Sequence, residues 1–180
     1  MQGVDGAGSG IHPLAGIHGI IVAVLRRGID LLTKLLELAQ VPNIVGVKDS
    51  SGSVEQSLEL LRRKPADFAV LTGEDALFFT MRANGAEGGI LAASHLATEG
   101  FVEVERCFRA NDLSGARKAW APLAGFVPML FAEANPMPIK HLLWRQGLIA
   151  SPECRLPLTK ISDGLARRLD AVFAEKKAAA

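Results

Sequence analysis

The chain has 180 residues, 49% hydrophobic and 22% charged, which is enough for one domain with a sizeable core and too apolar for a disordered chain. Its 20 basic and 19 acidic residues leave a net charge of +1, so there is no electrostatic case for nucleic acid or an anionic membrane as partner. Two cysteines, Cys107 and Cys154, are too few for a disulfide framework. With no CxxC spacing or close histidine they argue against zinc and for a reducing, cytoplasmic setting.

Residues 1–10 are glycine-rich and are expected to be frayed or disordered. Ile20, Ile21, Val22, Ala23 and Val24 read as a buried strand. Asp30 is placed to cap a helix that runs to about Ala39 with leucines along one face, and Pro42 closes it. Asn43 to Lys48 is the second strand. Ser53 and Gln56 have the spacing of a capping box for a helix to about Lys64, stopped by Pro65. Phe68 to Gly73 is a third strand. Glu74 and Asp75 stand where a helix N-terminus welcomes negative charge, and Asn84-Gly85 is a C-cap signal. Gly88 to Ala93 is the fourth strand.

Strands that alternate with helices over short connections predict an α/β fold with a parallel sheet or barrel of βα units. After Ala93 the strands stop. Residues 97–110, 113–133, 136–146 and 160–176 read as helices. Pro122 and Pro128 should break or kink the second of these, and Asn135 should cap the third ahead of Pro136. The chain end, from Glu175 on, should fray. Four such strands do not close a barrel of eight, which takes about 250 residues. The pattern is a short open sheet or the second half of a longer architecture.

Lys48 carries the chemistry. It ends the apolar run Ile44-Val45-Gly46-Val47, and a lysine closing a buried strand must be paired or put to use. An ordinary lysine has a pKa of about 10.4 and is almost wholly cationic at neutral pH. Burial disfavours the charge and frees the amine to attack a ketone. The imine that results withdraws electrons, the neighbouring carbon loses a proton, and the enamine adds to an aldehyde. The alternative from the residues alone is a lysine that leaves the strand and pairs with Asp49 or solvent.

Several segments read together resemble one family. Ile44-Val45-Gly46-Val47-Lys48-Asp49-Ser50-Ser51-Gly52 resembles the Schiff-base lysine motif of the dihydrodipicolinate synthase / N-acetylneuraminate lyase family. Leu71-Thr72-Gly73-Glu74-Asp75 is similar to that family's next strand end, and Gly85-Ala86-Glu87-Gly88-Gly89-Ile90 to the approach to its last strand. Asn135-Pro136-Met137-Pro138-Ile139-Lys140 and Arg155-Leu156-Pro157-Leu158 resemble its C-terminal helical region. All five stand in family order, over roughly residues 26–165.

The resemblance implies part of a (β/α)8 barrel, about its last four strands, with a C-terminal helical extension. It divides the chain into an unmatched, partly disordered leader at 1–25, half a barrel at 26–95, a helical region at 96–176 and a frayed tail at 177–180. It implies pyruvate held as an imine on Lys48, with no metal or organic cofactor. Gly73 and Ile90 would lie near the bound keto acid. Arg26, in the segment before Gly28-Ile29-Asp30, is in register for the second substrate's carboxylate, with Arg27 its alternative and a solvated loop cation the bland reading. The implied substrates are a small 2-keto acid and an aldehyde. The motifs are most similar to the branch that condenses pyruvate with aspartate semialdehyde in lysine biosynthesis. N-acetylneuraminate or another 2-keto acid aldol substrate is the alternative.

The match is incomplete. The family's first four strands have no counterpart, nor has its threonine pair. Its proton-shuttling tyrosine falls at Ile21, and the chain has no tyrosine at all. A truncated gene or a frame change near residue 25 would produce this, and upstream coding sequence in another frame should then carry a strand ending in Tyr-Asn. Half a barrel exposes two strand edges, which a homo-oligomer, a separate N-terminal piece or aggregation would cover. A catalytically inactive fragment acting only in assembly is therefore the second functional expectation.

Other signals are weaker. Ser94-His95 lacks GxSxG and neighbouring strand residues diverge, which argues against a hydrolase; His95 reads as a loop residue or part of the pocket mouth. Gly85 to Gly89 precedes a strand and not a helix, the wrong geometry for phosphate. His12 and His18 lie in the unmatched leader. Trp120 and Trp144 read as core or interface, and Lys140 as part of a structural motif. No apolar stretch reaches membrane-span length, and the N-terminus lacks a basic signal-peptide region.

Overall fold

The computed structural model describes the backbone at residues 19–23 and 31–178, with side chains at 32–174. Asp30, Arg26, Arg27, His12, His18 and most of the leader lie outside the described residues. The elements, in chain order, are strand β1 (Gly19–Ala23), helix α1 (Leu31–Leu38), β2 (Ile44–Asp49), α2 (Val54–Arg63), β3 (Ala69–Thr72), a 3-10 turn (Asp75–Leu77), α3 (Phe78–Ala83), β4 (Gly88–Gly89), α4 (Ser94–Arg109), α5 (Leu113–Leu130), α6 (Met137–Arg145) and α7 (Asp163–Ala178).

The four strands form one sheet in the order β1-β2-β3-β4, every pair parallel. The βα alternation thus gives the α/β parallel sheet expected of it. Register sets Val22 beside Lys48, Lys48 beside Leu71, and Leu71 beside Gly88. Val47 and Val70 are fully buried and pack on the helices in a cluster with Leu35, Leu60, Phe68, Met81 and Ala86. Strand alternation then turns Lys48, Leu71 and Gly73 to the opposite face. A second cluster, which includes Phe78, Leu91, Phe101, Val104, Leu123, Phe126, Leu130, Leu142 and Leu169, joins α3 and the segment after β4 to the C-terminal helices. Trp120 packs at its edge against Phe78, Phe79 and Phe101, whereas Trp144 is exposed and lies tilted against His141. His141 and Arg145 both bond Asp170, at 2.9 and 3.0 Å, tying α6 to α7. Among the described residues no helix is long and apolar enough to cross a membrane.

Three local expectations are corrected. The run Gly88 to Ala93 is a strand only at Gly88–Gly89. The Ile90 N–H still reaches Thr72 O at 2.9 Å, but the Ala93 N–H turns away to the Asp75 carboxylate. Among the described residues no strand lies beyond β4 to hold the run extended. α5 continues through both Pro122 and Pro128. The carbonyls that lose a donor belong to Lys118 and Ala124, both exposed residues, so water can replace the bond while Leu123, Phe126 and Val127 anchor the opposite face. The cap of α6 is Pro136, one residue later than expected, after a cis Asn135-Pro136 peptide.

The capping box on α2 is half formed. Ser53 Oγ accepts from the Gln56 N–H at 3.3 Å, but the Ser53 N–H donates to Ser51 Oγ, and the buried Gln56 Nε2 has no partner among the described residues. Ser53→Ala should therefore lower stability by about 1 kcal/mol, read as a lower urea midpoint at unchanged slope.

Candidate active site

The site is built at the C-terminal ends of β2, β3 and β4, the end of a parallel sheet at which α/β proteins bind ligands. Lys48 is half-buried, and among the described residues its Nζ makes no hydrogen bond or ion pair. It does not pair with Asp49. That carboxylate points to the helix side, is 3% exposed, and accepts from Ser57 Oγ at 2.5 Å and from the Ser51 N–H at 3.0 Å. Lys48 and Asp49 thus lie on opposite faces of β2, and the Asp49 half of the pairing alternative does not hold.

Gly73 makes room for the lysine. A Cβ at Gly73 would stand 2.6 Å from Lys48 Cε and 3.1 Å from Cγ, and would also strike Ser50 Oγ. The Gly73 N–H donates to Asp49 O at 2.7 Å, so β2 and β3 stay paired up to this point. Ile90 sits one strand further along, 46% exposed, with its N–H on Thr72 O. Lys48, Gly73 and Ile90 thus share one end of the sheet. Arg26 falls outside the described residues. Ile21 is in β1, with its backbone paired to Val47.

Two carboxylic acids, Glu74 and Asp75, follow Gly73 at the end of β3, where sequence reading took them as helix-terminus charges and as part of the family-like strand end. Asp75 is 4% exposed and accepts from the Ala93 N–H at 2.5 Å and from the Ala92 N–H. Burial pushes its carboxyl above the usual carboxylate range, while those donors and the Lys48 charge pull the other way. Glu74 is half-buried. Burial, and then the neighbouring negative charges of Asp75 and Asp49, raise its carboxyl, with Lys48 opposing. The Glu74 backbone is pinned by Thr72 Oγ1, which accepts from its N–H at 3.2 Å and donates to its carbonyl at 3.3 Å. The signal that could have found Asp75 is an acidic residue beside a strand end whose partner lies 18 positions on, a pairing no local pattern displays. Ser94 Oγ donates to Leu91 O at 2.7 Å and His95 is exposed, so the two form no nucleophilic pair.

Residues 24–176 match the model of the dihydrodipicolinate synthetase family. The chain belongs to that family. The resemblance carried by the five segments therefore holds over a longer stretch than those segments span. The chain is 46% identical over 133 residues to 4-hydroxy-tetrahydrodipicolinate synthase 2 of Clostridium acetobutylicum, a match that covers 74% of this chain and 46% of that protein. Among solved structures, dihydrodipicolinate synthase from Aquifex aeolicus superposes with a TM-score of 0.77 at 31% identity, over 81% of this chain and 50% of that one. The chloride-inhibited dihydrodipicolinate synthase from Acinetobacter baumannii complexed with pyruvate gives a TM-score of 0.79 at 32% identity, over 86% and 54%. The chain spans about half the length of the relatives it matches.

Proposed function

We propose that Lys48 is the Schiff-base nucleophile of a pyruvate-dependent carbon–carbon lyase. The observation that carries this reading is a half-buried amine at a strand's C-terminal end, without a partner among the described residues, its stem laid over a glycine that leaves room for it. The neutral amine attacks the ketone carbon of pyruvate. The carbinolamine loses water to an imine, and the adjacent methyl carbon loses a proton to give an enamine. That carbon adds to an aldehyde, and hydrolysis returns the amine. Gly73 and Ile90 flank the bound keto acid, and Arg26 contacts the second substrate's carboxylate. The substrates by this reading are pyruvate, which the Acinetobacter baumannii relative holds, and aspartate semialdehyde, with N-acetylneuraminate or another 2-keto acid aldol substrate as the alternative. The covalent imine makes an organic cofactor or metal unnecessary.

The four-stranded sheet is, by the same reading, half of a (β/α)8 barrel. The edges left open among the described residues, β1 and β4, would be covered by further strands or by a second copy. A cytoplasmic setting suits the free thiols of Cys107 and Cys154. A second reading, an inactive assembly module, is favoured by the absence of any tyrosine from the chain. Sodium borohydride with pyruvate separates the two. The chain should gain the mass of a reduced pyruvyl group on Lys48, and Lys48→Ala should gain none. An unlabelled wild-type chain at millimolar pyruvate and neutral pH would leave the assembly reading standing.

A further inference from the structure

We propose that the Ser50 hydroxyl is the proton relay for imine formation on Lys48. The inference rests on the Schiff-base reading of Lys48. When the neutral amine attacks the ketone carbon of pyruvate, the new carbon–nitrogen bond leaves a positive charge on nitrogen and a negative charge on the former carbonyl oxygen. The adduct falls back to reactants unless a proton crosses from nitrogen to oxygen. Ser50 Oγ accepts the proton from nitrogen while its own passes to the oxygen, which gives the neutral carbinolamine. In a second pass the nitrogen lone pair closes the carbon–nitrogen double bond as the carbon–oxygen bond breaks. Ser50 gives its proton to the departing oxygen, and Oγ takes the remaining N–H proton, whose bonding pair stays on nitrogen. Water leaves, the hydroxyl is restored after each pass, and no other reactant is needed.

The assignment is geometric. A Cβ at Gly73 would stand 2.6 Å from Lys48 Cε and closer still to Ser50 Oγ, so the hydroxyl lies less than twice 2.6 Å from that carbon. Nζ is about 1.5 Å beyond Cε, and the reacting oxygen is two bonds further, so rotation at the end of the lysine chain brings both to Oγ. Residues two apart along a strand share a face, and here both side chains reach the same glycine. Ser50 is also held between two anchored neighbours. The Asp49 carbonyl accepts from the Gly73 N–H at 2.7 Å. The Ser51 N–H donates to the Asp49 carboxylate at 3.0 Å, and Ser57 of α2 holds the other oxygen of that carboxylate. The half-buried Ser50 hydroxyl itself has no hydrogen-bond partner among the described residues. Its neighbours of the same chemistry are engaged: Thr72 Oγ1 with the Glu74 backbone, Ser51 Oγ with the Ser53 N–H, Ser57 Oγ with Asp49, and Ser94 Oγ with Leu91 O. A hydroxyl suits the task because it donates one proton and accepts another without changing charge. A fixed backbone on both sides presets its position, which is what makes such a transfer efficient.

The test measures how fast excess cyanoborohydride, which reduces the imine, fixes pyruvate to the chain. Labelling is read by intact mass over a range of pyruvate concentrations, with Lys48→Ala as background. Ser50→Ala should keep its circular dichroism spectrum and its half-saturating pyruvate concentration while its maximal labelling rate falls by about 100-fold. Ser50→Thr, which retains a hydroxyl, should label within about tenfold of wild type. A Ser50→Ala rate equal to wild type would overturn the inference and leave the Lys48 reading intact. A raised half-saturating concentration with an unchanged maximal rate would overturn it as well, by showing that the hydroxyl only binds the keto acid. So would a Ser50→Thr variant as slow as Ser50→Ala. A wild-type chain that never labels would overturn both readings.

Discussion

Gly73→Ala should abolish pyruvate-dependent labelling of Lys48 without unfolding the chain. The added methyl would stand 2.6 Å from Lys48 Cε, well inside contact distance, and would strike the Ser50 hydroxyl as well. Both atoms end flexible side chains, so the side chains move and the backbone stays. Gly73 has no left-handed backbone conformation that an alanine would strain. The displaced amine then meets the ketone from the wrong direction, and a shift of about 1 Å at a reacting group can cost about 100-fold in rate. Labelling should fall at least that far while the circular dichroism spectrum and thermal midpoint stay near wild type. A substantial fall in thermal midpoint would show that the methyl disturbs the strand and not the amine.

Leu60→Ala and Leu142→Ala should each lower stability by about 2–5 kcal/mol, measured by urea unfolding. Leu60 is fully buried between the sheet and its helices, and Leu142 is 1% exposed among the C-terminal helices. Each truncation leaves a void that rigid neighbours close only in part. The two side chains lie in separate clusters with no common members, so the double variant should lose the sum of the two to within about 0.5 kcal/mol. A clear departure from additivity would mean that the clusters respond as one.

Much of the fold is legible in the chain because its punctuation agrees with its periodicity. β2 and β3 stand out as apolar β-branched runs bounded by Pro42, Pro65 and Gly73. Gly85 ends α3 as expected, with the positive φ of 96° that favours glycine there. The misreadings share a cause. The run from Gly88 to Ala93 has strand composition, but a strand also needs neighbours, and the Asp75 carboxylate takes the Ala93 N–H first. The prolines of α5 look disruptive in isolation and harmless once the buried face is known. At the site, Lys48 is conspicuous because a cation closes an apolar run. The room that Gly73 leaves for it and the commitments of Asp49 and Asp75 depend on contacts between strands, which no local pattern encodes.

The bond from Asp75 to Ala93 has a consequence for how the two halves of the chain communicate. Asp75 begins the short turn after the third strand, and Ala93 leads straight into the long bundle that follows. That carboxylate is thus one polar link, beside the apolar cluster around Phe78, between the layer that holds the amine and the helices stacked behind it. Substitutions deep in that bundle can tilt the wall beside the amine while leaving every strand rung in place. Remote sequence drift therefore has a route to tune the site without touching it.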